Sequence, residues 1–314
     1  MCRFSENLLH NLKSVTGVAP KVRVGGTSHP TYFESYHTLG QVKYLHGLNT
    51  NQNSSTEQLE VSATEAGTPI GRQLHLFELG NEFNFAPGKY RSANYSLLDY
   101  VEEWNSKSAI FKSSVQSFPG LMAPSFVLLD FIDETPWTTE EVYNLGYDKY
   151  NLTKELCFHY YMGVNAPSLP PAQFNLQHQG VNGETNVFGD ALRLVDFSLW
   201  AAVHGIKRLH FHQELSHRYA LWQPIESNGL PPATRPPHYG QIVVTSAIGQ
   251  SENTLIVNIP LSEDTESAYP IYNGDRLSKL VVTNMRAFNQ TKSDRAGNTN
   301  STCLDKIKLP GLST

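Results

Sequence analysis

Little in this chain marks it for several common roles. Only three cysteines occur in 314 residues, Cys2, Cys157 and Cys303, widely separated and without metal spacing or a CxxC pair, so they support at most one disulfide. No Lys/Arg run reaches five residues and the formal net charge is −5, which argues against a nucleic-acid face or a basic membrane patch. No apolar run approaches the roughly 18 residues of a membrane span, and the opening MCRFSENLL has no apolar signal core, so the chain as written reads as soluble and unexported. Five Asn-x-Ser/Thr sequons, at Asn53, Asn94, Asn151, Asn289 and Asn300, pull the other way, because the acceptor has meaning only in a secreted protein.

What is present is the material of a folded α/β chain. Apolar residues make up 39%, enough for a real core, and the length suits one large domain with a smaller second one. The stretch 74–85, LHLFELGNEFNF, is the most informative. Its first six residues form a strand-length run, Gly80 breaks it, and Asn81-Glu82 puts a carboxylate at the tip. In a parallel α/β sheet, catalytic groups sit at the carboxyl ends of strands. Glu82 fits that address, with Asn81 beside it to hold a substrate hydroxyl or orient the acid. The alternative is that both bond only to loop backbone.

Around this strand the chain alternates. Residues 4–17 read as a helix, with Ser5 as cap, Leu8, Leu9, Leu12 and Val15 as its stripe and Gly17 as its stop. Short strands follow at 21–24 and 42–45, with no clear helix in 27–41 between them. Residues 50–70 read as a loop or weak helix. Leu97, Leu98, Val101 and Trp104 form a helical stripe, 118–126 is a strand cut by Pro119 and Pro124, 140–150 is a short helix, and 156–161 is a strand with His159, Tyr160 and Tyr161 at its exit. The polar segment 166–183 is a loop. The strongest helical stripe runs from Phe188 to a stop at Gly205, and a strand is expected at 208–212. From about Tyr239 the texture turns β-rich, with strands at 242–247, 254–259, 268–272 and 280–288, a hairpin signal at Asn273-Gly274, and a Pro-rich linker at 231–237 before it. Together these predict a (β/α) barrel or open α/β sheet over residues 1–235 and an antiparallel β domain over 239–314.

A strand-end Glu invites a search for a second carboxylate, since most glycosidases pair one acid/base with a nucleophile or base. Glu184, in NGETN, is the candidate. Its other reading is structural, because the preceding FNLQHQGVNG is polar and an acid near the start of the Phe188 helix favours the helix dipole. In RLHFHQELSHRYALWQP, from residue 208 to 224, alternation sends His210 and His212 to one strand face, and Arg218, Tyr219 and Trp222 follow in the loop. Aromatic platforms beside polar donors suit a sugar ring. Two His at i, i+2 are read as sugar contacts or core histidines, and no metal is assigned.

ELGNE at 78–82, VRVGG at 22–26, HYY at 159–161, GxxNxFGxAL ending at Leu192, GIKRLHFHQ from Gly205 and YxxWQP at 219–224 together resemble the fungal branch of glycoside hydrolase family 79, the β-glucuronidase-like enzymes. The resemblance runs over most of the chain. It implies a (β/α)8 TIM-type barrel with a C-terminal antiparallel β-sandwich, here expected to be incomplete: the family's signal peptide and first strand are lacking, and the segment after VRVGG is short. It further implies secretion, retaining hydrolysis of terminal β-linked sugars such as β-glucuronides, Glu82 as acid/base, and a carbohydrate partner with no cofactor. Glu184 is carried as the nucleophile. The family's Gly-Glu-Thr-Asn run follows an apolar strand, however, so QGVNGETNVFGDAL can also be the loop and helix start, with the nucleophile strand missing. Asn81, His159, Tyr160, His212, Tyr219 and Trp222 are expected to line the sugar pocket. The family tends to show Gly and Tyr where Glu214 and His217 stand, and an acid there would repel a uronate carboxylate. The competing expectation is a catalytically inactive carbohydrate-binding relative or an incomplete gene product.

Overall fold

The computed structural model describes residues 3–25, 42–48, 50, 56–128, 135–160, 180, 185–215, 217–227 and 231–286. They divide into two compact units, one built on residues 19–177 and the other on residues 2–18 together with 178–314.

The first unit carries a five-stranded sheet. Its strands are β1 (Lys21–Val24), β2 (Lys43–Leu48), β3 (Leu74–Leu79), β4 (Leu121–Leu128) and β5 (Thr153–Tyr160), paired in chain order and all parallel. Parallel neighbours in chain order are the topology of half a (β/α) barrel. Helices serve as crossovers: α2 (Thr56–Ile70) before β3, α3 (Leu97–Ser114) before β4 and the short α4 (Thr139–Asn144) before β5. Residues 56–70 are therefore helical, where the polar, weakly periodic sequence left loop or weak helix open. The segment 27–41 lies outside the described residues.

Leu45, Phe77, Leu79 and Leu121 are almost fully buried, as expected of a parallel sheet covered on both faces. Behind β4 an aromatic cluster fixes α3. The Tyr100 ring lies 5.2 Å from both Phe83 and Phe126, and Trp104 lies 4.2 Å from Tyr147. Each such buried ring contributes about 2 kcal/mol of burial free energy. β4 is irregular where the sequence placed its proline. Pairing with β5 shifts register between Pro124 and Phe126, and Ser125 between them takes a left-handed φ of 57°.

The second unit holds α1 (Arg3–Thr16), α5 (Phe188–Val203), the two-residue strands β6 (Trp222–Gln223) and β7 (Ala233–Thr234), α6 (Pro236–Ile248), and a three-stranded antiparallel sheet of β8 (Thr254–Ile256), β9 (Glu266–Asn273) and β10 (Arg276–Asn284). α1 ends at Gly17, whose φ of 74° turns its N–H back to the Lys13 carbonyl at 2.7 Å. Gly205, with a φ of 81°, follows α5 as read.

Three expectations are corrected here. Residues 242–247 are not a strand but the body of α6. Their β-branched valines suggested β structure, yet Gly240, Val244 and Ala247 are buried at helical spacing, and a Cβ on Gly240 would lie 2.5 Å from the Ala191 carbonyl of α5. Residues 231–237 are not a plain linker: Ala233–Thr234 pairs with Trp222–Gln223, and Pro236-Pro237 opens α6, where a missing N–H costs nothing. Residues 208–212 are irregular and form no strand.

The hairpin at Asn273-Gly274 is present one residue later than read. Asn273 pairs with Arg276, and Gly274 takes the first central position with a φ of 59°. Among the described residues, no helix is long and apolar enough to cross a membrane.

Candidate active site

The carboxyl ends of the parallel strands bring six polar groups together in the first unit: Arg23, Glu78, Asn81, Glu82, Ser125 and His159. Arg23 on β1 reaches across to β3, where its Nε donates to Glu78 Oε2 at 2.7 Å and its Nη2 donates to Asn81 Oδ1 at 3.1 Å. The glycines of this edge make room for it. A Cβ on Gly25 would stand 2.7 Å from the Arg23 guanidinium carbon, and one on Gly47 would stand 2.8 Å from the Gly25 Cα. On β4, the Ser125 hydroxyl donates to Glu78 Oε1 at 2.7 Å and lies 2.9 Å from Cys157 Sγ of β5. One layer deeper, Leu45, Leu76 and Met122 pack with Cys157 as an apolar floor.

Burial dominates the electrostatics of this edge and is then overcome. The Glu78 side chain is 1% exposed, and desolvation favours its neutral form. Arg23, and after it His159, more than reverse this and hold the carboxyl down at about 2. Burial works against the Arg23 charge too, but Glu78 leaves its affinity for the proton raised. Burial, followed by the charge of Glu78, pushes the Cys157 thiol up to about 12, so Cys157 is packing and not a nucleophile.

Glu82 stands at the mouth of this network. It adopts the left-handed conformation, φ 52° and ψ 47°, which costs a non-glycine residue about 1 kcal/mol or more. Two contacts hold it there. Its backbone N–H donates to the Ser125 carbonyl at 2.9 Å, and its Oε1 lies 2.9 Å from His159 Nδ1. Asn84 ties the same loop to β4, donating to the Val127 carbonyl at 2.8 Å and accepting from the Val127 N–H at 3.1 Å.

His159 thus sits between two acids, with Nδ1 on Glu82 and Nε2 3.5 Å from Glu78 Oε1. The second distance is that of an ion pair, too long for a good hydrogen bond. Burial lowers the proton affinity of the ring, but the two carboxylates outweigh it and favour the imidazolium. Chemically, this is a carboxyl group with a partly exposed side chain, oriented by a ring that is itself held beside a buried anion.

The other expected residues fall differently. Strict alternation along β5 places Tyr160 on the opposite face from His159, and its side chain is exposed. Glu184 lies outside the described residues; Thr185 and Asn186 form a turn and α5 starts at Phe188. In the second unit, the ring centroids of His212 and Tyr219 are 5.7 Å apart. Trp222 is buried, and its indole N–H donates to Ser5 Oγ at 2.9 Å.

Arg23, Glu78, Ser125 and Asn84 were not singled out from sequence. A signal existed for two of them, since an arginine and a glutamate inside strands destined for a covered parallel sheet must find partners. Ser125 and Asn84 had no such mark, because their roles come from a register shift and a loop-to-strand bond.

No protein-family model matches the chain. It is 29% identical over 371 aligned positions to a β-glucuronidase of Aspergillus niger, covering 93% of this chain and 69% of the relative. To a β-glucuronidase of Neurospora crassa it is 27% identical over 388 positions, covering 92% and 69%. Both alignments are longer than the 314 residues of the chain, so these relatives carry internal segments without a counterpart here. Among solved structures, the fold is similar to a 4-O-α-L-rhamnosyl-β-D-glucuronidase from Fusarium oxysporum 12S, with a TM-score of 0.70 at 16% identity over 92% of this chain and 74% of the other. It is also similar to a family 39 glycoside hydrolase from Bacteroides cellulosilyticus WH2, with a TM-score of 0.54 at 12% identity over 90% and 68%.

Proposed function

We propose that this chain, a relative of the fungal β-glucuronidases of glycoside hydrolase family 79, is a glycosidase that hydrolyses terminal β-linked glucuronides with retention, using Glu82 as general acid and then general base. The observation that carries the reading is the Arg23–Glu78–His159–Glu82 chain of contacts at the carboxyl ends of the alternate parallel strands β1, β3 and β5. A buried anion anchors the ring, and the ring fixes the acid at the mouth of the sheet.

In the first step Glu82 gives its proton to the glycosidic oxygen as the bond to the anomeric carbon breaks. A second carboxylate attacks that carbon and forms a glycosyl ester. Glu184 is the proposed nucleophile. In the second step Glu82 takes a proton from water, which displaces the ester and restores both acids. Asn81, fixed by Arg23, is proposed to meet a sugar hydroxyl; His212, Tyr219 and Trp222 are carried as further pocket residues from the family motifs, whereas Tyr160, on the opposite face of β5 from His159, is not. The same reading extends the half-barrel to a TIM-type barrel and gives the chain a C-terminal β domain, supported by the antiparallel sheet of residues 254–284. The start of that domain then moves past α6, to about residue 250. An extracellular site of action is part of the proposal; Asn94 and Asn151, two of the sequon asparagines, are exposed.

The test is hydrolysis of phenyl β-glucuronide by the folded parent, Glu82→Gln and Glu184→Gln. Activity in the parent and its loss in both variants supports the pair. Loss in Glu82→Gln alone keeps the acid and removes Glu184 from the reaction. A folded parent without activity overturns the enzymatic reading for this substrate.

A further inference from the structure

We propose that His212, Glu214 and His217 form a surface site for a divalent transition-metal ion, with zinc as the natural occupant of its donor set. The three ligand atoms, two imidazole nitrogens and one carboxylate oxygen, lie within 4.8 Å of one another. Two edges of the triangle are already set: Glu214 Oε2 is 3.2 Å from His212 Nε2 and 3.7 Å from His217 Nε2. Ligands at about 2.0–2.1 Å on a tetrahedral ion stand roughly 3.3–3.4 Å apart, and these two edges bracket that value. A set of two imidazoles and one carboxylate leaves one position for water or an exogenous ligand.

The tautomer of His217 fits this use. Its Nδ1 faces the Leu215 carbonyl at 3.3 Å, a group that only accepts, so the ring N–H belongs on Nδ1. In the neutral ring Nε2 then carries its lone pair toward Glu214. A carbonyl on the far nitrogen is the arrangement metal-binding histidines use to fix tautomer and ring orientation. A lone pair facing a carboxylate oxygen is repulsive by itself, and a cation between the two removes the repulsion.

The loop is also held in shape. Gln213, between two of the ligands, accepts from the N–H groups of Leu221 and Trp222 at 2.9 and 3.4 Å and donates to the Trp222 carbonyl at 2.6 Å. Arg235 donates to the His217 carbonyl. The ligand backbone is therefore fixed from two sides, while the His212 and Glu214 side chains, 51% and 61% exposed, can close on an ion. The triad differs from the His210 and His212 pair that strand alternation had suggested. It involves the two residues, Glu214 and His217, that depart from the family pattern, and a bound cation would offset the Glu214 charge.

Calorimetric titration of zinc chloride into the metal-free, untagged full chain tests the site. The expected result is one ion per chain, with affinity reduced tenfold or more in Glu214→Gln and in His217→Gln, and a hundredfold or more when His212 and His217 are both replaced by Gln. Cobalt(II) gives a second readout, as absorption bands of a four-coordinate ion that vanish in the same variants, while circular dichroism confirms each is folded. Zinc bound with unchanged affinity by the variants overturns the assignment, and so does a folded parent that binds neither ion.

Discussion

Two constellations of acids and histidines differ in how the fold holds them. Glu78, His159 and Glu82 are carried on the parallel strands β3 and β5, with β4 between them, and on the loop that follows β3, and their side chains are only 1%, 16% and 18% exposed. His212, Glu214 and His217 lie on one loop of the other unit, with the first two more than half exposed. Burial makes the first set expensive to rearrange, so each charge is matched by a partner, and Glu78 and His159 are shifted in proton affinity. Exposure leaves the side chains of the second set able to rearrange at little cost. The same residue types are thus preorganised by burial in one place and left adaptable by exposure in the other.

The widest separation between the two should come from removing one acid from each. Glu78→Gln leaves Arg23, about one-fifth exposed, beside a neutral group, and should cost about 3 kcal/mol in urea unfolding. A loss below roughly 0.5 kcal/mol would mean that the buried frame is not what stabilises this sheet edge.

The acid limb of the stability profile sharpens the same contrast. In the unfolded chain Glu78 takes up its proton near its ordinary value of 4.5, whereas in the folded chain it holds out to about 2. The unfolded state therefore binds more protons across that window, and stability falls as pH drops through it, by about 3 kcal/mol in all. Glu78→Gln should flatten this limb. His159 works in the opposite sense: its raised proton affinity adds stability that is full below about pH 6.5 and is lost as pH rises through the higher folded value. An acid limb equally steep in Glu78→Gln would assign the effect to other carboxylates.

A smaller change is expected from Asn84→Ala, which removes both bonds to the Val127 backbone. It should cost about 1–2 kcal/mol and slow turnover while leaving Glu82 in place, since the Glu82 N–H keeps its bond to Ser125. Unchanged turnover would show that the loop needs no tie to β4. At the bottom of the scale, Glu214→Gln without metal should change unfolding free energy by less than about 0.5 kcal/mol.

Much of the first unit was legible in the chain because its signals are local. β3 was read at its observed bounds, a strand-length run closed by Gly80, and Glu82 was placed at its tip from that alone. The second unit was harder because its decisive contacts are not local. Residues 242–247 have β propensity, yet a buried stripe through Gly240, Val244 and Ala247 against α5 overrides it. Residues 208–212 have strand composition, but a strand requires a neighbour, which no window of sequence supplies. The support beneath Glu82 was hidden for a similar reason. The left-handed Ser125 and the reach of Arg23 across two strands exist only once the sheet has assembled.

The claim that Glu82 is the proton donor, and not merely part of a rigid loop, is tested most directly by kcat/KM of Glu82→Gln on two glucuronides. One carries a phenol, which needs a proton to leave, and the other a 2,4-dinitrophenol, which does not. The account predicts a loss on the order of 10²-fold or more with the phenyl substrate and a near-parental value with the dinitrophenyl one. Equal losses on both would contradict it and leave Glu82 a structural residue.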